Sequence, residues 1–374
     1  MGENLDQVRI VRLGADPAPP PSAGEVDAWH AVLAACATVD EPGAAVPERA
    51  STAATLRAGR TGTRALRWLA WEGNSVVGIA LLRLFDEKDR DHLGWFRIQV
   101  HPERRRHGVG TALLAEVRAA ALAEGRASLI ARAATGAPGD AFLAASGAAL
   151  ALESVLLRLR VADCDQAALR ATVRAASPGY HLARWPGVAP GDLIGPFAAA
   201  REAMNDMPTD ALDHGRTSWD EERVRGIAQA IAARGDTLLT VAALGLDGEG
   251  PVAEVPRHEG PGREAPGREG PGRESPAGEG QEVVAGFSEI VLPAGDPTRA
   301  RQSDTAVLKA HRGRGLGLWV KAAMLQWLLG AHPEVQEVAT ACAVSNTHMI
   351  AINEQLGFRP HGGERHYQLA LTGR

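Results

Sequence analysis

Apolar and polar residues alternate with two different periods along the first half of the chain, and these periods predict strands and helices. VRIVRL is typical of a strand and VDAWHAVLAACATV of a helix. ALRWLAWEGNSVVGIALLRLF contains two apolar runs joined at a Gly-Asn pair, which indicates a hairpin. GWFRIQV predicts a further strand, and Val109, Leu113, Val117 and Ala120 share one face of the helix that follows. We expect SLIARAA, GDAFLAAS and ALALESVLLRLRV to close this unit near residue 162.

The second half repeats this order of predicted elements. YHLARW, TLLTVAAL and EVVAGFSEIVL predict strands, and LIGPFAAAREAM and WDEERVRGIAQAIAA predict helices. VQEVATACAV, NTHMIAINEQLG and RHYQLALT predict a closing strand, helix and strand. Before them, DTAVL leads into a helix that has five apolar residues on one face: Leu316, Val320, Ala323, Met324 and Trp327.

Length and composition agree with a duplicated unit. A chain of 374 residues exceeds one ordinary hydrophobic core, and 45% hydrophobic with 23% charged residues is typical of a globular protein that can bury two cores. The predicted fold class is α/β of the mixed α+β type, with two tandem domains that each have a central mixed sheet flanked by helices. The predicted domains are residues 1–165 and 166–374, and their boundary lies in the polar stretch DCDQAALRATVRAASPG.

The two halves also share a glycine-containing loop between a strand and a helix. Arg105-x-x-Gly108-x-Gly110 and Arg312-x-x-Gly315-x-Gly317 are separated by 312 − 105 = 207 residues. A glycine turn at the start of a helix directs unbonded backbone N–H groups to one point, where the helix dipole also favours an anion. The repeated loop therefore predicts a phosphate cradle, but it lacks the Lys-Ser/Thr ending of a P-loop and the third glycine of a dinucleotide fingerprint.

One segment has no counterpart in the first half. Residues 246–281 include PGREAPGREGPGRES, in which Pro-Gly-Arg-Glu occurs three times at a period of five. Dense proline and glycine remove ladder donors and leave little apolar surface to bury, so the composition predicts a disordered hairpin insertion. A partner-binding tether or scaffold is the alternative interpretation.

Charge and cysteine content narrow the functional classes. A formal charge of −5 argues against general nucleic-acid binding, and three widely spaced cysteines show no metal-ligand or disulfide pattern. The amino terminus has no apolar signal region, and no stretch approaches the roughly 18 apolar residues of a membrane helix. We expect a cytoplasmic protein without bound metal, nucleic acid or membrane contact.

The repeated loop and a late sequence element together resemble the GCN5-related N-acetyltransferase (GNAT) family. That family carries an Arg/Gln-x-x-Gly-x-Gly/Ala loop and a late strand and helix similar to TACAVSNTHMIAINEQLGFRP. The resemblance is close over residues 179–374 and loose over residues 5–162, and it suggests the tandem branch that includes mycothiol synthase. The late element matches at Asn346, Met349, Asn353, Leu356, Gly357, Phe358 and Pro360.

The resemblance implies that acetyl-coenzyme A is the cosubstrate, with a second copy in the first half. In the second half it implies that strand amides bind the pantetheine arm and that the loop binds the pyrophosphate. The implied contacts there are Val307, Leu308, Arg312, Gly313, Arg314, Gly315, Gly317 and Asn346. The corresponding contacts in the first half are Val100, Arg105, Arg106, Gly108 and Gly110.

For catalysis, the resemblance implies direct attack of an amine on the thioester. Glu289, acting through a water, is the first candidate for the base, and Asp304 is the second. Asn353 stands where many family members have the tyrosine that protonates the departing thiolate, and Leu143 stands there in the first half. Because the first half also has Ala148 in place of the late phenylalanine, we expect the second half to be the catalyst and the first half to be non-catalytic.

The predicted function is acetyl transfer to a primary amine of a small metabolite, an antibiotic or a peptide N-terminus. A thiol-containing aminoacyl sugar is a variant of this acceptor class. Met204, Met207 and Pro208 belong to the segment expected to border the acceptor site. The alternative function is a non-catalytic sensor or sequestering protein for acyl-coenzyme A, which the missing tyrosine supports.

Overall fold

The structure is a computed structural model that describes residues 8–13, 21–40, 46, 48–57, 63–175, 177–246 and 282–371. The Pro-Gly-Arg-Glu repeats and the disorder predicted for them lie outside the described residues. The first half contains β1 (Val8–Leu13), α1 (Ala23–Asp40), α2 (Arg49–Arg57), β2 (Thr63–Glu72), β3 (Ser75–Phe85), β4 (Leu93–Val100), α3 (Val109–Ala123), β5 (Ser128–Ala134), α4 (Pro138–Ala145) and β6 (Ala149–Arg160). The second half contains α5 (Gln166–Arg174), β7 (Tyr180–Pro186), α6 (Ile194–Arg201), α7 (Glu221–Ala232), β8 (Thr237–Leu246), β9 (Glu282–Leu292), β10 (Arg299–Val307), α8 (Leu316–Ala331), β11 (Glu337–Ala343), α9 (Thr347–Gln355) and β12 (Arg359–Ala370).

Within the described residues, the strands form one mixed sheet in the order β1-β2-β3-β4-β5-β12-β6-β11-β10-β9-β8-β7. The predicted mixed α/β class is confirmed. The Gly-Asn hairpin is also confirmed, because β2 and β3 pair antiparallel and Gly73 occupies the left-handed region at φ 58°.

The last strand of each half lies in the sheet of the other half. β6 runs antiparallel to β11, with Ser154 opposite Ala343, and β12 runs antiparallel to β5, with Tyr367 opposite Ala131. The sequence pattern suggested that each strand closes its own unit, and in this respect it was wrong. Alternating apolar and polar residues identify a strand but not the strand that it pairs with. β6 and β12 alternate in a similar way, so the pattern does not say which of them lies in which half. The predicted boundary at residue 165 therefore assigns β6 to the first half and β12 to the second, although β6 pairs with β11 and β12 pairs with β5.

Helices cover both faces of the sheet in each half, as the apolar faces predicted. In the first half, α3 packs on one face through Leu113 and Val117, and α1 packs on the other through Trp29 and Val32. In the second half, α8 lies at the centre of the largest apolar cluster, and α6 covers the opposite face. Burial of these faces is the main driving force that holds helices and sheet together.

Candidate functional site

Two neighbouring parallel strands separate shortly after they begin, and this happens once in each half. β10 pairs with β11 only from Arg299 to Arg301, and β4 pairs with β5 only from Leu93 to Trp95. Beyond these pairs the strands diverge and leave a wedge-shaped opening towards their carboxyl ends. Unpaired backbone groups along the wedge can hydrogen-bond an extended ligand as a neighbouring strand would.

Val307 presents its backbone to the wedge of the second half. The Leu308 N–H donates to the Ala285 carbonyl on β9 at 2.9 Å. Hydrogen-bonding directions alternate along an antiparallel strand, so the N–H and C=O of Val307 turn away from β9 and into the wedge. Val307 therefore remains a candidate contact for the pantetheine arm, whereas the predicted role of the Leu308 amide was wrong because this amide is used within the sheet.

Val100 has the same position in the first half. The N–H of the next residue, His101, donates to Val77 on β3 at 2.9 Å, which turns the backbone groups of Val100 into the other wedge. Val307 and Val100 thus present their backbone groups to the two wedges in the same way.

The glycine loops have matching backbone conformations. Gly313 and Gly315 lie in the left-handed region at φ 79° and 74°, and Arg106 and Gly108 lie there at 69° and 80°. A non-glycine residue in this region costs roughly 1–2 kcal/mol, so Arg106 shows that the turn is imposed by its surroundings.

The helices that follow these loops begin without a side-chain cap. Of the other helices of the second half, α7 and α9 are capped, since Asp220 accepts from Arg223 N–H and Asn346 accepts from Met349 N–H, whereas α6 has no side-chain cap. At α3 and α8 the capping positions are Gly108 and Gly315, which provide no side-chain acceptor. The first-turn amides of these two helices lack partners within the helix and suit an anionic ligand. This arrangement fits a pyrophosphate, while the side chain of Asn346, predicted as a ligand contact, caps α9 instead.

The guanidinium of the first arginine of each loop binds protein atoms, including the strand carbonyl that turns into the wedge. Arg312 donates through Nε to the Val307 carbonyl at 3.0 Å and through Nη2 to Asp206 at 2.7 Å. Arg105 donates through Nε to the Val100 carbonyl at 3.1 Å and through both Nη atoms to Asp40 at 2.7 Å. We predicted that these arginines supply positive charge to phosphate, whereas the structure uses them to fasten each loop to a helical segment on the opposite face.

The second glycine of each loop makes room for a helix. A Cβ on Gly317 would lie 3.4 Å from Ile352 Cδ1, and a Cβ on Gly110 would lie 3.4 Å from Phe142 Cε2. Both glycines therefore permit close packing of α9 or α4 on the wedge, which differs from the predicted reason that they admit a phosphate.

Arg314 is held by aromatic residues. It donates to the Tyr180 hydroxyl and lies 5.9 Å from the centroid of that ring. The same hydroxyl is 2.8 Å from Nδ1 of the buried His311. The contacts with Tyr180 thus fix the orientation of the Arg314 side chain within the loop.

The structure brings the two predicted carboxylates together through an arginine that sequence reasoning missed. Arg201, on α6, donates to Glu289 Oε2 and to Asp304 Oδ2, both at 2.5 Å. The Arg201 and Glu289 side chains are 4% and 5% exposed, whereas Asp304 is 33% exposed. The only signal in the sequence was a lone arginine at the end of the apolar helix that contains GPFAAAR.

Electrostatics of this cluster follow from its burial. Loss of water raises the pKa of Glu289, the nearby Asp304 raises it further, and Arg201 opposes both effects. The two carboxylates outweigh the desolvation of Arg201, so its pKa is raised and it stays charged. Two carboxylates sharing one guanidinium leave a net charge of about −1 when both are ionised, which favours a cationic or amine ligand nearby.

A small cavity of about 10 Å³ adjoins Glu289 and Arg201 on the α7 side. That volume suits one water molecule. Arg201 Nε is buried without a hydrogen-bond partner among the described residues, so it offers such a water a donor. A water at this point fits the expectation that Glu289 acts through one.

A β-bulge distinguishes β10 from β4. The pairing of β10 with β9 shifts between Gln302 and Thr305, whereas β3 and β4 pair without interruption from Gly78 to Leu84. Gln302 holds the bulge by donating to Ser288 Oγ and to the Glu289 carbonyl, both at 2.8 Å. Bulges re-aim side chains and are frequent beside active sites.

Asn353 lies on the other face of the sheet from the carboxylates. It belongs to α9, whose Ile352 and Met349 pack into the cluster around α8. Its side chain is 1% exposed, and its Oδ1 has no hydrogen-bond partner in the part of the chain that the structure describes. The structure therefore unites Glu289 with Asp304 and keeps Asn353 apart from them.

A groove of about 350 Å³ lies where the segment after α6 reaches the first half. Asp210, Val344 and Ser345 line it together with residues 150–153 of β6. The segment is anchored there by a hydrogen bond from Ala211 N–H to the Ala151 carbonyl at 3.1 Å. The predicted role of Met204, Met207 and Pro208 in acceptor binding stays a prediction.

Known proteins resemble this chain both in sequence and in fold. Residues 28–142 match the model of the acetyltransferase (GNAT) family. A tandem GNAT protein from the clavulanic acid biosynthesis pathway superposes with a TM-score of 0.73 at 25% identity, over 98% of this chain and 99% of that one. Residues 28–142 are thus similar to the GNAT family, and the fold of the whole chain is similar to that of a tandem GNAT protein. The family match over residues 28–142 supports acyl-coenzyme A-dependent acetyl transfer in general.

Other solved structures share the fold of this chain. A GCN5-related N-acetyltransferase from Sphaerobacter thermophilus has a TM-score of 0.63 at 13% identity, over 98% of this chain and 97% of that one. A fungal multi-domain GH3 beta-N-acetylglucosaminidase with a GCN5-related glucosamine N-acetyltransferase region has a TM-score of 0.61 at 10% identity, over 98% of this chain and 38% of that one. No curated protein sequence matches the chain. No helix among the described residues has the length and apolar character needed to span a bilayer.

The family model matches the first half of the chain, whereas the sequence motifs of the family are more complete in the second half. The model matches α1 through α4 of the first half, whereas the late family element is more complete in the second. These two findings do not identify the catalytic half, so we compare the side chains that line each wedge.

Proposed function

We propose that this protein is an acetyl-coenzyme A-dependent N-acetyltransferase whose second half carries out the reaction on a primary amine. The observation that carries the proposal is the buried Glu289–Arg201–Asp304 cluster beside the bulge of β10. In the first half, register places Leu81 at the position of Glu289, and β4 lacks the bulge. The two halves thus share a binding scaffold, but only the second has this group of acids beside it.

The coenzyme would lie along the wedge with its pyrophosphate at the start of α8. The first-turn amides and the left-handed turn at Gly313 and Gly315 suit the pyrophosphate, and the Val307 N–H suits the thioester end of the pantetheine arm. The same features around Gly108 and Val100 support a second coenzyme in the first half.

Asp304 is the better placed of the two carboxylates to receive the amine proton. It is one-third exposed, whereas Glu289 is enclosed and directed at Arg201. We therefore reverse the sequence-based order: Asp304 accepts the proton as the neutral amine attacks, and Glu289 positions Arg201. The Val307 N–H donates to the carbonyl oxygen as negative charge develops there.

The test compares Gly317→Glu with Gly110→Glu, because the two glycines have matched surroundings and the variants should affect folding alike. Thiol release from acetyl-coenzyme A is measured against a panel of primary amines, and binding is measured by calorimetry. We expect Gly317→Glu to abolish turnover and Gly110→Glu to retain it, with one binding site lost in each. Turnover that survives Gly317→Glu but not Gly110→Glu would place catalysis in the first half. In the same assay, Asp304→Asn should lower kcat by about 100-fold or more.

The second candidate function is a non-catalytic acyl-coenzyme A-binding protein. Asn353 favours it, because an amide cannot replace the phenolic proton donor. Calorimetry that shows tight acetyl-coenzyme A binding, with no thiol release for any amine in the panel, would support this function over the first.

A further inference from the structure

Lys321 is a lysine buried in the core of the second half. It lies on α8 and is 1% exposed. Gly317, one helical turn before it, faces Val307 on β10 and Ile352 on α9. Residues four apart share a helix face, so Lys321 projects from the same side of α8, deeper along the wedge.

The ammonium of Lys321 lies near an aromatic ring and a thiol. Nζ lies 5.7 Å from the centroid of the Phe358 ring. No carboxylate within the described ranges is close enough to form an ion pair with it, and Cys342 on β11 is the titratable neighbour that affects it. The titratable groups on the other elements around α8 do not shift the pKa of Lys321. These groups are Arg170 and Arg174 on α5, Glu282 and Glu289 on β9, Arg299, Arg301 and Asp304 on β10, Glu337 on β11, and His348 and Glu354 on α9.

Burial lowers the pKa of Lys321 from 10.5 to about 7, and Cys342 has a small opposing effect. A buried lysine without a counter-ion is unfavourable for folding, so its presence needs a reason other than packing.

The first half shows that the fold does not require polar residues here. The loop offset places Leu114 at the position of Lys321, and the contacts of Gly110 with Phe142 and of Gly317 with Ile352 place Leu143 at that of Asn353. Strand register places Ala133 at the position of Cys342. Three apolar residues in one half are thus replaced by lysine, cysteine and asparagine in the other.

Asn353 supplies an independent sign that a ligand reaches this region. Its Oδ1 is buried without a partner among the described residues, although the Asn353 carbonyl accepts the backbone N–H of Phe358 at 3.0 Å. Buried side-chain acceptors are normally satisfied, so this atom is suited to a donor that arrives with a ligand, such as a pantetheine amide.

We propose that Lys321 is the proton donor to the coenzyme sulfur, a role that rests on the proposed acetyltransferase function. When the amine nitrogen bonds to the acetyl carbon, the carbon–sulfur bond breaks and its electron pair passes to sulfur. The sulfur takes a proton from the Lys321 ammonium, which gives free coenzyme A and a neutral lysine, while Asp304 holds the proton lost by the amine. Solvent reprotonates Lys321 after the products leave.

The acidity of Lys321 suits this step. A thiol has a pKa of about 8.5, so transfer from an ammonium with a pKa near 7 to a thiolate is favourable. With this pKa, the lysine also carries its proton in part of the molecules at neutral pH.

The first experiment measures kcat and KM for acetyl-coenzyme A in Lys321→Met, with Leu114→Met as the matched variant in the first half. We expect Lys321→Met to lower kcat by about 100-fold and to leave KM nearly unchanged, and Leu114→Met to retain wild-type kinetics. The wild-type kcat should fall as pH rises past about 7, because Lys321 loses its proton, and this limb should be absent from Lys321→Met. Unchanged kcat and pH profile in Lys321→Met would overturn the inference while leaving the acetyltransferase function intact.

A second experiment requires no turnover. The thiol of bound coenzyme A is titrated through the ultraviolet absorbance of its thiolate in wild type and in Lys321→Met. The thiol and Lys321 titrate as a coupled pair, and the charged form of Lys321 favours the thiolate, so thiolate should begin to form at lower pH in wild type than in the variant. Equal thiol pKa values would place Lys321 away from the sulfur and refute its role. Wild-type protein that binds coenzyme A but releases no thiol with any amine would instead contradict the proposed function itself.

Discussion

The two halves of the chain share a backbone plan and differ in the side chains placed on it. Both have diverging parallel strands, a left-handed turn, an uncapped helix and an arginine fastened to an aspartate. Within the described residues, only the second adds a bulge and a carboxylate–arginine cluster on one face, and a buried lysine on the other. The comparison teaches that a duplicated binding scaffold can remain while the polar groups needed for chemistry are confined to one copy.

The largest expected effect comes from breaking the charged cluster that only the second half has. Arg201→Met leaves the buried Glu289 beside the partly exposed Asp304 without a counter-ion, so the free energy of unfolding should fall by about 3–5 kcal/mol. Chemical denaturation measures this change. Arg225→Met is the control, because its pair with Glu221 is exposed and its loss should cost no more than about 0.5 kcal/mol. Equal effects of the two substitutions would contradict a cluster held together by Arg201.

The next effect concerns the lysine that occupies an apolar position of the first half. Lys321→Met removes a buried ammonium and should raise the free energy of unfolding by about 1–4 kcal/mol. The folded-state pKa near 7 is below the unfolded value of 10.5, so the penalty of Lys321 is fully present below pH 7 and disappears as pH rises towards 10.5. Denaturation from pH 6 to pH 10 should show a gain that shrinks with pH. A gain that does not depend on pH would mean that Lys321 titrates normally.

The smallest expected effect tests a feature that both halves share, the ion pair between the loop arginine and an aspartate. Asp206→Asn frees Arg312 from a single charged hydrogen bond, and Asp40→Asn frees Arg105 from a bidentate one at the matching position. Each pair is partly exposed, so each substitution should change stability by no more than about 1 kcal/mol. Each should also strengthen coenzyme binding several-fold, because the released arginine becomes available to phosphate. Calorimetry with acetyl-coenzyme A measures this, and weaker binding in either variant would show that the ion pair supports the loop.

Local pattern was sufficient for most elements and for the location of both loops. The apolar faces of α3 and α8 are buried as their spacing predicted, with Leu113, Val117, Val320 and Met324 inaccessible to solvent. Glu289 and Asp304 were found because they lie on adjacent strands next to the loop. Their shared partner Arg201 was missed, since it is separated from them by 88 and 103 residues in sequence.

The sequence by itself determined the duplication, the order of strands and helices, and the turns where glycine is required, because these depend on short-range periodicity and backbone sterics. Tertiary structure alone decided that β6 and β12 exchange places, that Arg105 and Arg312 bind aspartates, and that Lys321 is buried beside the wedge. Each of these outcomes depends on which distant segments meet when the two sheets join. A periodic pattern carries no information about that choice, because many partners satisfy the same alternation of apolar and polar residues.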